Sequence, residues 1–392
     1  MKICGIICEY NPFHNGHAYL LSEAKKLTKA DAVICVMSGG FTQRGDLAVM
    51  DKFTRAKHAV LAGADAVIEL PVPFAISNAE IFAKGAVKLL SSIPDFSFLA
   101  FGSENPDKDL FQKAAALTEK ESPNIRSIIK AKLKSGMSLT RARREAYHNT
   151  DNPEETNLFL SPNNILGLEY TKALRFFNSS AEIFPILRTG SAHNETKLSG
   201  RFSSSSAIRE AVRQKQLRAV KKNVPSFVFS DLKKTASSDL YKKTAAYAAL
   251  SLSAEELKKI TDCTEGLENR IKALAKSNYD YDVLISKITT KRYTSSRIRR
   301  ILAAAVLGIT DDLTQKCLKY DLYLKILAIK QDKTEELLSA LSKSTFPLIL
   351  RASDEKKISS KALPVFKKDV FANDAYNFFT ENKTNEHGVL FI

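Results

Sequence analysis

Residues 2–17 read Lys2-Ile3-Cys4-Gly5-Ile6-Ile7-Cys8-Glu9-Tyr10-Asn11-Pro12-Phe13-His14-Asn15-Gly16-His17. The run from Lys2 to Cys8 is apolar at consecutive rather than alternate positions, the pattern of a strand covered on both faces and hence of a parallel sheet. A Pro, an HxGH element and then apolar residues at helical spacing from Ala18 to Leu27 follow it. The stretch therefore reads as strand, turn and helix N-terminus. At such a switch the unpaired backbone N–H groups and the positive end of the helix dipole form an anion site, and Gly16 lets a ligand approach the backbone closely. His14 and His17, three residues apart, can then reach one ligand and donate hydrogen bonds to phosphate oxygens as charge builds at an α-phosphorus. Four letters alone say little; strand, Pro, Gly and helix in register make the reading specific.

Outward from this stretch, short apolar runs recur at Ala30–Met37, Ala66–Leu70, Phe96–Phe101 and Glu182–Leu187, separated by helical patterns at Lys52–Ala62 and Ala79–Leu90. The alternation predicts an α/β fold on a doubly wound parallel sheet. The segment at about 109–150 breaks the rhythm with Arg126, Lys130, Lys132, Lys134, Arg141, Arg143 and Arg144 and no acid between Glu121 and Glu145, so it is expected to be a helical insertion. Ser161-Pro162 opens another helix, Pro suiting the first helical position. After about Lys222 the alternation stops. Residues 1–222 are thus expected to form the sheet domain, and residues 223–392 a mostly α-helical, basic C-terminal domain.

Lys plus Arg number 59 against 43 Asp plus Glu, a formal charge of +16 over 392 residues. Such an excess serves an anionic partner: nucleic acid, a phosphorylated ligand or a membrane surface. The longest apolar run, Ile301–Ile309, is far short of the roughly 20 residues a membrane helix needs. No membrane partner is expected, and the opening residues read as a strand rather than a cleaved leader, so the expected location is cytoplasmic. Five scattered cysteines lack the spacing of a metal site and are read as reduced residues, with no metal ligands assigned.

A second chemical signal is Phe202-Ser203-Ser204-Ser205-Ser206-Ala207-Ile208-Arg209, a hydroxyl cluster ahead of a helix. It is similar to the S-S-T-x-I-R element of small nucleotidyltransferases. There Ser205, Ser206 and free amides can hold the outer phosphates, with Arg209 neutralising leaving pyrophosphate. The bland alternative is a helix cap in a serine-rich loop. Neither G-x-G-x-x-G after the first strand nor G-x-x-x-x-G-K-[ST] is present, which weakens dinucleotide and P-loop readings. The loop Ser38-Gly39-Gly40-Phe41-Thr42-Gln43-Arg44-Gly45 reads either as a lid over phosphates or as a plain surface loop. Gly102 ends the Phe96–Phe101 run, where open α/β sheets present ligands. In the second part, Lys287, Lys291, Arg292, Arg297, Arg299 and Arg300 form a run without acid between Asp282 and Asp311, with Tyr279, Tyr281 and Tyr293 nearby. Basic side chains among tyrosines can neutralise phosphates and stack unpaired bases, so Lys291, Arg292, Arg297, Arg299 and Arg300 are candidate RNA contacts; a solvated helix face is the alternative.

With EYNPFHNGH, VMSGGFTQRG, ADAVIELP, FGSE, PNNILGLEY, SSSSAIRE and RYTSSRIRRIL in one order, the chain resembles the bacterial tRNA(Met) cytidine acetate ligase family across essentially its whole length. The resemblance implies a nucleotidyltransferase-like (HxGH, Rossmann-like) catalytic domain. It also implies an ATP-dependent enzyme that adenylates acetate and transfers the acetyl group to N4 of the wobble cytidine of elongator tRNA(Met). The family's ATP contacts carry over to Ile7, Cys8, Glu9, Tyr10, Asn11, Pro12, Phe13, His14, Asn15, Gly16, His17, Ala18, Tyr19 and Leu20, and to Gly102, Asn163 and Arg188. His14 and His17 are the catalytic candidates, ATP is the co-substrate, Mg²⁺ is expected to assist, and no obligate protein partner is evident. Two positions depart from the family pattern: Gly40 stands where Asn is expected, and the serine run replaces a more varied segment.

Three rivals remain at this level. A small-molecule nucleotidyltransferase of the pantothenate-synthetase type shares the HxGH and serine elements but has no use for a long basic helical region. A class I aminoacyl-tRNA synthetase would carry a K-M-S-K-S string, which is absent. A noncatalytic RNA-binding protein on a decayed fold would not be expected to keep His14, Gly16, His17 and Arg209.

Overall fold

The computed structural model describes residues 1–148, 158–188, 198, 200–235, 237–384, 386 and 388–392. The consecutive apolar runs become strands because each finds helices on both sides. β1 (Ile3–Cys8) alternates Cys4 and Ile6 toward one face with Ile3 and Ile7 toward the other, and the two sets enter separate cores. On the first face lie α1 (Asn15–Thr28) and α2 (Lys52–Leu61), burying Leu21, Ala24, Phe53, Ala56 and Val60. After β2 (Ala32–Ser38) and β3 (Ala66–Leu70), the short α3 (Val72–Ala75) leads to α4 (Ala79–Ser91) on the second face. Asp51 and Asn78 cap α2 and α4 through Thr54 N–H (2.9 Å) and Ile81 N–H (3.1 Å).

β4 (Phe96–Ser103) then returns to pair with β1 on the side opposite β2. The insertion follows as α5 (Lys108–Glu119), α6 (Pro123–Lys134) and α7 (Leu139–His148), helical as expected up to the last described residue, His148. α8 (Pro162–Phe176) packs against α4, β5 (Glu182–Leu187) joins β4, and α9 (Ser205–Arg213) closes the first half. β5-β4-β1-β2-β3 are parallel throughout. The order reverses between β1 and β4, so their carboxyl ends flank the crevice in which doubly wound sheets bind ligands.

The chain beyond residue 222 is helical for most of its length, yet it also extends this sheet. β6 (Leu324–Ile329) lies antiparallel to β3, and β7 (Leu348–Ile349) and β8 (Leu390–Phe391) pair with β6. The two parts proposed from sequence therefore share one sheet. Lys325 made β6 illegible: it is buried between Glu69 (2.9 Å) and Glu386, with Lys52 closing the group. Helices at Asp239–Ser251, Leu267–Ala275, Tyr281–Ile288, Ser295–Leu307 and Leu363–Thr380 surround a further core. Phe41, Leu47 and Ala48 from the loop after β2 enter that core. Among the described residues no helix is long and apolar enough to cross a membrane.

Candidate active site

The turn after β1 sets two imidazoles at the mouth of α1. His14 is the N-cap in extended conformation; its Nδ1 accepts from Gly16 N–H (3.1 Å), while His17 Nδ1 accepts from His14 N–H (3.3 Å). This is a capping box written in histidines. Because both Nδ1 atoms accept, both rings carry their hydrogen on Nε2. Tyr10 and Phe13 pack on His17 at 4.9 and 5.5 Å. Burial first, then the neighbouring His14 imidazole and the Arg188 guanidinium, hold the His17 imidazole well below its usual pKa, so it is neutral at neutral pH.

A second helix N-terminus faces the first. Ser204 caps α9 through Ala207 N–H (3.1 Å), and Ser203 Oγ accepts from the buried Asn223 amide (2.9 Å). These two serines build the helix start, and Ser203, Ser204, Ser205 and Ser206 all line the cleft. Arg209 donates to Asn11 O (2.6 Å) and to Ser206 Oγ (3.1 Å). Arg44 reaches the same Oγ at 3.3 Å. Burial and the Arg44 charge lower the Arg209 pKa, while Glu9 opposes them. Glu9 itself is pushed up by burial and pulled back by the Gln43 N–H (2.6 Å) and by Arg44, Arg209 and Arg55. Beneath it, the fully buried Arg55 donates to the carbonyls of Glu9 (2.6 Å), Ser38 (3.1 Å), Gly39 and Met50 (3.0 Å), tying the ends of β1 and β2 together.

The third wall comes from β4, β5 and α8. Glu104 accepts from Asn163 Nδ2 (2.6 Å) and Ser161 Oγ and pairs with Arg188 at 3.6 Å. Gly102 runs beside Arg188; a Cβ there would sit 3.2 Å from Arg188 Cγ. Burial lowers the Arg188 pKa, with Glu104 opposing. Together these walls enclose a cleft of about 360 Å³ at the β1/β4 switch.

Of the residues expected at the nucleotide, Ile7, Cys8, Glu9, Tyr10, Asn11, His14, Gly16, His17, Tyr19, Leu20, Gly102, Asn163, Arg188, Ser205, Ser206 and Arg209 line that cleft. Pro12, Phe13, Asn15 and Ala18 support it from behind. Phe13 is wholly buried, and Asn15 ties α1 to the carbonyls of Lys222 (2.8 Å) and Arg201 (3.2 Å). Sequence reasoning did not include Phe82, Phe101, Leu166 and Tyr170, an apolar wall from α4, β4 and α8. It also missed Arg55 and Glu104. The FGSE string carries Glu104 and so gives a local signal for it, whereas Arg55 falls in a helix like any surface arginine.

The basic run of the second part is spent differently. Arg292 pairs with Glu265 (3.2 Å); Arg297 reaches Glu265 (3.6 Å) and Asp262 O (2.9 Å). Arg299 binds Asp46 at 2.7 Å, and Arg300 reaches Gln43 O at 3.5 Å and Asp262 at 3.9 Å. Lys291 is exposed. Four of the five candidate RNA contacts thus engage partners within the chain, two of them on the loop after β2.

A parallel sheet with a histidine-capped helix at its switch point, faced by a serine-capped helix and three guanidinium groups, defines a nucleotidyltransferase, and the HIGH Nucleotidyl Transferase model matches residues 1–389. Within that class, the chain belongs to the tRNA(Met) cytidine acetate ligase family. It is 39% identical to the tRNA(Met) cytidine acetate ligase of Caldanaerobacter subterraneus subsp. tengcongensis over 97% of this chain and 96% of that protein. The Acetivibrio thermocellus protein of the same name is 36% identical over 96% and 94% of the two chains. The crystal structure of Thermotoga maritima TmcAL bound with alpha-thio ATP superposes with a TM-score of 0.91 at 31% identity, covering all of both chains. These relatives do not favour the small-molecule alternative.

Proposed function

We propose that this chain is an ATP-dependent tRNA(Met) cytidine acetate ligase. A carboxylate oxygen of acetate attacks the α-phosphorus of ATP, the bond to the bridging oxygen breaks, and pyrophosphate leaves with that electron pair. The N4 amine of the wobble cytidine then attacks the acetyl carbon, AMP departs with the C–O electron pair, and the amine gives up a proton. Adenylation is needed because acetate alone is a poor electrophile.

In this reading His14 and His17 donate from Nε2 to α-phosphate oxygens, and both helix N-termini face the triphosphate. Ser205, Ser206 and Arg209 hold the outer phosphates. Gly102, Asn163 and Arg188 line the nucleoside end, Gly102 because the chain must pass close to the ligand. Mg²⁺ would offset triphosphate charge. Its expected donors are phosphate oxygens and water, as suits this ion. Elongator tRNA(Met) lies across the helical part, where exposed Lys291 meets phosphate directly and Arg292 and Arg297 exchange their internal partners for phosphates. The anticodon loop is already single-stranded, so presenting its cytidine needs only local unstacking. The protein works in the cytoplasm, where ATP, acetate and tRNA are, without an obligate protein partner.

The observation that carries this reading is the convergence of His14, His17, Ser206, Arg209 and Arg188 on one cleft at the β1/β4 switch. Its test is nucleoside mass spectrometry of elongator tRNA(Met) incubated with protein, ATP and acetate, with single omissions. A cytidine heavier by one acetyl group, dependent on both small molecules, is the expected result. Unmodified tRNA despite ATP consumption would redirect the assignment to another carboxylate or acceptor.

A further inference from the structure

The loop leaving β2 carries another guanidinium into the cleft, and the helical part of the chain holds it there. Arg44 Nη1 lies 3.3 Å from the Ser206 Oγ that also takes Arg209 Nη2 at 3.1 Å. One serine oxygen thus stands between two cations, an arrangement favoured further when a multi-oxygen anion lies across both.

The backbone is fixed on both sides of Arg44. Gln43 N–H donates to Glu9 Oε1 (2.6 Å), the Gly45 carbonyl accepts from Tyr241 (2.7 Å), and Asp46 pairs with Arg299 (2.7 Å). Gly45 has φ +77°, and a Cβ there would fall 2.3 Å from the Arg299 carbonyl carbon. The loop therefore rests directly on the Ser295–Leu307 helix, and only glycine permits that approach. These bonds make it an anchored arm instead of an open lid.

We propose that Arg44 is a further catalytic residue of adenylation: with Arg209 it clamps the β- and γ-phosphates and takes up the charge that moves onto pyrophosphate, while Arg299 is the positioning residue that holds the Arg44 loop. The proposal rests on the functional reading above. Charge grows on the bridging oxygen as its bond to the α-phosphorus breaks, and no proton moves in that step. A guanidinium reaching that group acts on the transition state more than on bound ATP. AMP lacks the outer phosphates and does not engage the pair.

The test is acetate-dependent exchange of labelled pyrophosphate into ATP, alongside equilibrium binding of AMP and of inorganic pyrophosphate. Arg44→Ala should lower the exchange kcat by about 10²- to 10³-fold, the range for losing one charge-stabilising donor. Its pyrophosphate affinity should fall while AMP affinity holds, which also reports an intact fold. Arg44→Lys should recover part of the rate, keeping the charge without the fork. Arg299→Ala should lower kcat in the same direction and add nothing in the Arg44→Ala background, because it acts through that side chain. Absence of acetate-dependent exchange in the wild type would sink the functional reading itself. Wild-type exchange by Arg44→Ala, or equal loss of AMP and pyrophosphate affinity, would overturn the clamp. Additive losses in the double variant would overturn the positioning role.

Discussion

The rings of His14 and His17 stack with centroids 3.6 Å apart and planes 20° from parallel, and each spends its Nδ1 on a backbone N–H at the start of α1. The helix is thus capped by the side chains offered to the ligand. Stacking fixes two Nε2 donors side by side before any nucleotide arrives, and preorganisation of this kind is what makes a donor effective in a transition state.

His17→Ala should therefore lower pyrophosphate exchange by about 10²-fold or more while leaving tRNA affinity unchanged. The cap bond to His14 N–H is lost too, at a stability cost of about 1 kcal/mol. Exchange assays and filter binding check this. Lost tRNA binding with preserved exchange would show that the chemistry lies elsewhere.

The depressed pKa of His17 makes stability pH-dependent in a defined sense. Burial disfavours its charged form in the folded chain, whereas the unfolded chain protonates near the ordinary value of 6.5. The unfolded state therefore binds the proton first, and stability present above pH 6.5 is lost as pH falls below it. His58, also depressed by burial, contributes in the same direction. Urea midpoints should drop from neutral to mildly acidic pH, and His17→Asn should flatten the drop. An equally steep drop in that variant would assign the effect to other groups.

Arg292 offers a test that separates the proposed RNA binding from the chemistry. It is half-exposed and pairs across the helical part with Glu265 (3.2 Å). Arg292→Ala should weaken tRNA binding and reduce the log–log salt slope by about 1, as for one lost phosphate contact, with exchange unchanged. A salt slope equal to wild type would remove Arg292 from the RNA face.

The parallel strands were legible because β1 is apolar throughout, β2 up to its last residue Ser38 and β3 at every position but Glu69, and the histidine and serine helix starts were legible because caps and glycines punctuate sequence locally. What escaped depends on partners distant in the chain. Lys325 disguises β6 until Glu69 and Glu386 are beside it. Arg299 and Arg300 look like a free basic face until Asp46 and Gln43 arrive from the other half. A charge run gives its density, whereas its role is set by which carboxylates the fold brings to it.

Lys325→Met tests the buried group that joins β6 to β3. It leaves Glu69 and Glu386 with Lys52 alone, and losing one partner of a buried ion pair costs about 3–5 kcal/mol. Chemical denaturation should show that loss, and hydrogen exchange should rise at Ile326–Ile329, which pair with β3. A loss below about 1 kcal/mol would mean the ions balance their own desolvation, as buried pairs can.

Gly45→Ala tests whether the helical part shapes the nucleotide site. The positive φ strains any Cβ, and the Cβ would meet backbone rather than a side chain that could rotate aside. Relief requires lifting the loop from the Ser295–Leu307 helix, which carries Arg44 away from Ser206. Gly63 offers the control: its φ is +114°, yet nothing lies within 4 Å of its Cβ position. Both Ala variants should lose about 1–3 kcal/mol of stability from backbone strain. Gly45→Ala should also lose pyrophosphate exchange to the extent that Arg44→Ala does, whereas Gly63→Ala should exchange at the wild-type rate. Equal activity in the two variants would show that the contact between Gly45 and Arg299 is structural and leaves the phosphates untouched.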